Sequence, residues 1–358
     1  MPARRHAVVL AGGAGERFWP ASRAAYPKPF LRVLGGRSLL DATLARARRF
    51  ASRDCVWVVC GREHQRHVRR ATGLPAARVL VEPERRNTAM AVAFAAVHIG
   101  LDDPGAVLAI LPADHSIPDG PAFARDLKRA ASAASGAGAL VTLGVKPARP
   151  DTGYGYIQAG APAGSAYPGL QRVRRFVEKP DAATARRYLR SGGYLWNAGI
   201  FVFTAAAILE EIEACAPELA AALEPLRRPP RVRSGERLRR VYRRAPSFPI
   251  DVAVMERSRR VWTLPVAWHW SDVGTWLSLS EELGVAPGDT KVLGGELVFD
   301  DRGGNLVWGD RRAVALLGVE GLAIIDTGDV LLVTKLDRSP DVRRIVAQLK
   351  RRGRGDVT

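Results

Sequence analysis

Cysteine is nearly missing from this chain: Cys55, Cys60 and Cys215 are the three in 358 residues, with no C-x-x-C spacing. Neither a disulfide framework nor a zinc site is expected, and a reducing cytoplasm is the simplest setting. Long apolar runs are missing too. None approaches the roughly 20 residues of a membrane-spanning helix, so no membrane partner is expected. The first apolar stretch runs straight into glycines without an Ala-x-Ala-like cleavage site, which argues against a signal peptide. Acidic residues are outnumbered, 36 against 54 basic, leaving a net charge of +18. That excess suits either a nucleic-acid binder or an enzyme for anionic substrates. Its arginines spread over helical stretches near 46, 186 and 237 without interleaved aromatics. A solvated surface is the better reading, and no specific nucleic-acid partner is expected. Lysine is the scarce base, 7 of the 54. Lys28 and Lys179 nevertheless both stand inside candidate site motifs, where a compact ammonium would fit better than a guanidinium fork.

What is present begins at residues 10–17, Leu-Ala-Gly-Gly-Ala-Gly-Glu-Arg, directly after the apolar run Ala7-Val8-Val9. A buried strand ending in a glycine loop lets backbone N–H groups approach a polyphosphate, and Arg17 and Lys28 can add positive charge. No Gly-Lys-Ser/Thr follows, so this is not a Walker A loop. Phe18 replaces the third glycine of a dinucleotide fingerprint that starts at Gly13.

Apolar runs alternate with helical patterns through the first half. Strands are predicted at His6–Ala11, Cys55–Cys60, Arg78–Val81, Val107–Leu111 and Leu140–Val145, with helices at 38–51, 62–72, 87–100 and 121–135. The pattern predicts an α/β fold with a doubly wound, mostly parallel sheet, whose ligands bind at the carboxyl ends of the strands. The glycine loop, Glu82 and Asp114 each follow such an end and are expected to converge on one pocket. Beyond 150 the reading is less regular, with strands near 170–178 and 199–203, helices near 204–224 and 233–244, and a surface loop at 225–230. After residue 287 short Val/Leu/Ile runs with Gly and Asp turns predict a small β appendage, closed by a helix Ser339–Arg351. His64 and His67 read as residues of a solvated helix, and His115 as structural or solvent-facing. Trp196, Trp270 and Trp276 read as wall and core.

Several motifs fall in one order: LAGGAGERFWPASR with PKPF, EPERRNTAMAVAFAA at 82–96, LPADH at 111–115 and TGYGYI at 152–157. FVEKPD at 176–181, WNAGIFVF at 196–203, DVAVMERS at 251–258 and WSDVGTW at 270–276 follow. The set resembles the sugar-1-phosphate nucleotidyltransferases, and its Phe-Trp-Pro version resembles the mannose-1-phosphate guanylyltransferases. The resemblance implies a Rossmann-like, GT-A-like catalytic domain over 1–286. It also implies a left-handed β-helix-like or β-meander domain over 287–358, of a kind often used in dimer contacts, which leaves a homodimer open. The isomerase domain fused to some relatives is not expected.

The implied reaction is attack by mannose 1-phosphate on the α-phosphorus of GTP, giving GDP-mannose and diphosphate with Mg2+ assistance. Another hexose 1-phosphate or nucleotide, or a non-catalytic regulatory role, is the alternative. The attacking phosphate is mostly dianionic at neutral pH, so no protein base is required. The implied catalytic residues are Arg17 and Lys28, on the phosphates, with Asp114 and Asp272 as metal ligands. Helix capping is the plain alternative for both aspartates. Nucleotide contacts fall on Leu10, Ala11, Gly12, Gly13, Gly15 and Arg17. Glu82 would accept from guanine, with Asn87 alongside. Sugar-phosphate contacts fall on Gly153, Gly155, Glu178, Lys179 and Asn197, with an Asp251 contact loosely specified. Pro29 stands where relatives often have Gln.

Overall fold

A computed structural model of the chain describes residues 3–13, 15–33, 35–228, 232, 234–309 and 312–358. These divide into two compact units. Unit one is Met1–Gly12, Thr43–Ala113 and Ile117–Trp270; unit two is Gly13–Ala42, Asp114–Ser116 and Ser271–Thr358. The predicted loop residues 229–230 lie outside the described residues. Among those described, no helix is long and apolar enough to cross a membrane.

Unit one is built on strands β1 (Arg5–Ala11), β2 (Val56–Gly61), β3 (Val79–Glu82), β4 (Val107–Pro112), β5 (Leu140–Val145), β6 (Tyr156–Pro162), β7 (Gln171–Val177), β8 (Tyr194–Thr204) and β9 (Val261–Val266). They form one sheet in the order β3-β2-β1-β4-β8-β5-β9-β7-β6. β1 to β4 pair in parallel. β2 is buried at every residue, which is why Val-Trp-Val-Val-Cys reads as an unbroken apolar run rather than an alternation. β8 runs antiparallel to both β4 and β5, while β5 and β9 are parallel. β6 returns to pair with β8, so β8, β5, β9, β7 and β6 close a ring.

The helices in chain order are α1 (Leu39–Phe50), α2 (Gln65–Thr72), α3 (Asn87–Gly100), α4 (Gly120–Ala137), α5 (Ala182–Ser191), α6 (Ala205–Cys215), α7 (Pro217–Leu223), α8 (Gly235–Arg244), α9 (Trp276–Glu282) and α10 (Val342–Arg351). α3 is buried from Ala89 to Ile99, so its alanine-rich sequence carries no polar stripe. The helix expected over 204–224 is two, parted at Ala216 because Pro217 opens α7.

Unit two holds α9, α10 and the short strands β10 (Lys291–Leu293), β11 (Glu296–Asp300), β12 (Leu306–Trp308), β13 (Ala313–Leu316), β14 (Leu322–Asp326) and β15 (Leu331–Lys335). β10, β12 and β14 stack in parallel, as do β11 and β13, while β15 turns back along β14. One apolar cluster gathers Phe18, Trp19, Leu31, Trp276, Ile325, Val342 and Val346. The expected helix Ser339–Arg351 begins at Val342 instead, after a 3-10 stretch Leu336–Asp341. Ser339 is fully buried, and its hydroxyl accepts from the Leu277 N–H of α9 rather than capping α10.

Candidate active site

Of the candidate phosphate residues, Gly13, Gly15, Arg17 and Lys28 lie in unit two. Gly15 adopts φ +60, and a Cβ there would stand 2.5 Å from Lys28 Cβ and 2.8 Å from Ser22 Oγ. Only glycine allows that close approach. Lys28 is buried, and its Nζ donates to Asp114 Oδ2 and to the Asp272 carbonyl oxygen, both at 2.7 Å. The loops carrying the two aspartates are tied side by side: Ser116 N donates to Ser271 O at 2.8 Å, and Ser271 N to Ser116 O at 3.1 Å. Burial would raise the Asp114 pKa, but Lys28 and then His115 outweigh it and hold the carboxyl below its ordinary value. Gly13 is exposed at φ +94. Arg17 is half-buried, and its guanidinium carries no hydrogen bond or ion pair among the described residues. It is a cation available for an anion.

Neither aspartate is a helix cap. Asp119 caps α4 by accepting from Ala122 N, and Thr275 with Ser278 forms the capping box of α9. Asp272 Oδ1 instead accepts from Gly274 N at 3.1 Å.

A second group lies in unit one. Leu10 and Ala11 are held in the β1 ladder, with the Leu10 carbonyl accepting from Ala113 N, while Gly12 is exposed just past the strand end. Glu82 ends β3 with its carboxyl buried, accepting from the Tyr242 hydroxyl at 3.3 Å. Burial pushes its pKa up to about 7, against the opposing hydrogen bond from Tyr242. Asn87 opens α3 in the left-handed region, its Oδ1 accepting from Thr88 N. The first turn of α3 is anchored from outside the helix: Thr88 Oγ1 accepts from Ile250 N, and Ala89 N donates to Phe248 O.

The hexose candidates surround a bulge in β8. At Asn197 the strand has just left β6, which pairs with 194–196, and has not yet met β4, which pairs with 201–204; its register with β5 shifts over the same span. Bulges re-aim side chains, and here Asn197 turns into a polar cluster. Its Oδ1 accepts from Thr142 Oγ1 at 2.9 Å and from Gly199 N at 3.1 Å, and its Nδ2 donates to Asp251 Oδ1 at 2.7 Å. That donation uses one of the two amide N–H groups. A Cβ on Gly155 would fall 2.6 Å from Glu178 Oε2, so glycine here admits the Glu178 carboxylate. Gly153 N is already donated to Asp151 Oδ1. Lys179 contacts Glu178 and is itself exposed. Asp251 begins a π-helical turn, a rare geometry frequent at functional sites. Burial, and then the neighbouring Glu178 charge, raise its pKa above the carboxylate range.

Three non-glycine residues with positive φ occur among the described residues: Asn87 at 62, Lys179 at 47 and Val273 at 44. Two are candidate site residues, and the third directly follows Asp272. Such strain costs about 1–3 kcal/mol per residue and clusters at functional sites.

Residues 6–284 match the family model described as nucleotidyl transferase. The chain belongs to the nucleotidyl transferase family. Residues 295–349 match a second model, the MannoseP isomerase/GMP-like beta-helix domain. The chain is similar to the xanthan biosynthesis protein XanB of Xanthomonas campestris pv. campestris (strain B100), 38% identical over 356 residues, covering 98% of this chain and 74% of that one. An Escherichia coli mannose-1-phosphate guanylyltransferase is 36% identical over 360 residues, covering 97% of this chain and 74% of that one. Among solved structures, a Thermus thermophilus protein described as a mannose-1-phosphate geranyltransferase superposes with a TM-score of 0.86 at 37% identity, over 97% of this chain and 99% of that one.

In this nucleotidyl transferase, Gly13, Gly15, Arg17, Lys28, Asp114 and Asp272 fall in unit two, and the remaining candidates in unit one. Family members generally use a divalent metal. Among the described residues no group of three or more His, Cys, Asp or Glu side chains could hold an ion unaided. Two carboxylates on tied loops are nevertheless the donor set with which Mg2+ is held when phosphate oxygens and water complete its shell. The residues fit an ion shared with substrate.

The tryptophans Trp196, Trp270 and Trp276 are buried, Trp196 and Trp270 each edge-on to Tyr154. His64 is buried rather than solvated, because it ends a 3-10 turn and enters α2 on its inner side; His67 is exposed. Tyr242 and Thr142 carry no motif signal, and only position reveals them.

Proposed function

We propose that this chain transfers the guanylyl group of GTP to mannose 1-phosphate. The sugar phosphate oxygen bonds to the α-phosphorus, the bond from that phosphorus to the bridging oxygen breaks, and diphosphate leaves with the electron pair. Residues 1–286 would be the catalytic part and 287–358 the β appendage. The observation that carries this reading is the Lys28 ammonium lodged between Asp114 and the Asp272 main chain. It sets positive charge beside the Asp114 carboxylate and the main chain that carries Asp272, the charge types that phosphoryl transfer requires.

Arg17 and Lys28 grip the phosphates, with backbone N–H groups of Gly12, Gly13 and Gly15 alongside. Asp114 and Asp272 would hold Mg2+, which supplies charge neutralisation on the phosphate oxygens. Ionised Glu82 accepts the adjacent N–H groups of guanine, a pair adenine does not present. Glu178, Asn197 and Lys179 take the hexose hydroxyls and phosphate. The names of the relatives support the choice of GTP and mannose.

Diphosphate release measured for four nucleoside triphosphates against a panel of hexose 1-phosphates tests the proposal. GTP with mannose 1-phosphate is expected to be the fastest pair. Turnover with UTP and glucose 1-phosphate, but none with GTP and mannose 1-phosphate, would overturn it.

A further inference from the structure

We infer that the C-terminal segment 342–357 positions the loop carrying Arg17, so that the appendage takes part in gripping the nucleotide phosphates. This rests on the reading that Arg17 binds phosphate. Among its described residues, the loop's own ties include the Phe18 N–H to the Gly15 carbonyl at 2.8 Å and the Trp19 N–H to the Glu16 carbonyl at 3.2 Å. Gly13 and Gly15 both adopt positive φ, and the single 3-10 turn Glu16–Phe18 starts at Gly15 without a side-chain cap. The neighbours of Arg17, by contrast, are all anchored in unit two. Glu16 pairs with Lys350 of α10. Phe18 is fully buried against Trp276, ring centroids 4.8 Å apart, in the cluster that contains Val342 and Val346. The Trp19 indole N–H donates to the Val357 carbonyl at 2.6 Å, and the Trp19 carbonyl accepts from the Trp276 indole at 3.2 Å. Arg17 thus sits in a turn whose other two residues, Glu16 and Phe18, and whose C-cap, Trp19, are fastened to 276 and 342–357.

The anchors are unequal. Glu16 and Lys350 are 40% and 55% exposed, and exposed pairs contribute little. The buried indole bond and the Phe18 packing dominate. Trp19→Phe is therefore the discriminating substitution, since it removes the indole N–H and keeps an aromatic ring in the cluster. Val346→Ala probes the same support from the helix side. Leu316→Ala is the stability control, being buried in a separate cluster with Val307 and Ile324.

Calorimetric titration of each full-length variant with inorganic pyrophosphate and Mg2+ reads the loop without turnover, alongside KM for GTP and for mannose 1-phosphate. Trp19→Phe and Val346→Ala are expected to weaken pyrophosphate and GTP about tenfold, leaving KM for mannose 1-phosphate unchanged. Leu316→Ala should lower the melting temperature at least as much and leave pyrophosphate affinity at the wild-type value. Wild-type pyrophosphate affinity in Trp19→Phe, or equal weakening in Leu316→Ala, overturns the inference. Wild-type affinity in Arg17→Ala would instead bring down the site reading and this inference with it.

Discussion

An ammonium that donates to a carboxylate on one loop and to a carbonyl on another fixes both loops at once, and Lys28 does this from a nearly inaccessible position. A guanidinium is planar, larger and forked, so Lys28→Arg cannot repeat the contact beside Gly15. We expect Lys28→Arg, Asp114→Asn and Asp272→Asn each to lower kcat by about 100-fold. Asp114→Asn should lose only about 1 kcal/mol of stability, because the amide oxygen still accepts from Lys28. Steady-state kinetics with thermal melts check both halves; near-normal turnover in the two aspartate variants would remove their metal role.

Glu82 yields a pH prediction at the same scale. Burial raises its folded pKa from 4.5 to about 7. The fold therefore favours the protonated carboxyl: this stabilisation is complete below about pH 4.5 and is lost as pH rises through about 7. Glu82→Gln should flatten the melting profile across that window. Guanine needs the ionised form, so KM for GTP should rise as pH falls below 7, and Glu82→Gln should relax the preference for GTP over ATP. A GTP/ATP ratio independent of pH and of this substitution would remove Glu82 from base recognition. Lys28, Asp114 and Glu82 were legible because each closes an apolar strand or sits in a tight motif. Tyr242 was not, since it meets Glu82 from 160 residues away and nothing local marks it.

Among elements, the first five strands and four helices could be read almost to their ends, because a strand buried on both faces and an amphipathic or wholly apolar helix each leave a plain pattern. β6 was missed because its second half is largely exposed, and β9 because Pro265 interrupts it. Pro265 is tolerated opposite Gly144 with its side chain exposed. The β8 bulge was invisible, as it depends on three partner strands. Helix α9 bears on the site through its capping box, three residues after Asp272. Thr275→Ala should cost about 1 kcal/mol and lower kcat by loosening the turn at Val273. Urea denaturation with parallel assays measures both; unchanged stability would show that the cap is dispensable.

For the whole molecule, a net charge of +18 is expected to attract triphosphate and sugar phosphate over a distance, beyond solvating the surface. kcat/KM for GTP should fall about tenfold as monovalent salt rises from about 0.02 to 0.5 M at fixed free Mg2+. A flat dependence would mean that the arginines only solvate the surface. The sequence ordered the motifs but concealed how unit two draws on three distant stretches, because chain separation carries no record of compact grouping. That discontinuity matters during synthesis. Phe18 and Trp19 are made well before their partners, which follow Trp19 by 257 residues at Trp276 and by 338 at Val357. A nascent chain lacks these contacts to its glycine loop until then, so a copy truncated before Trp276 is expected to form the sheet and to bind nucleotide weakly.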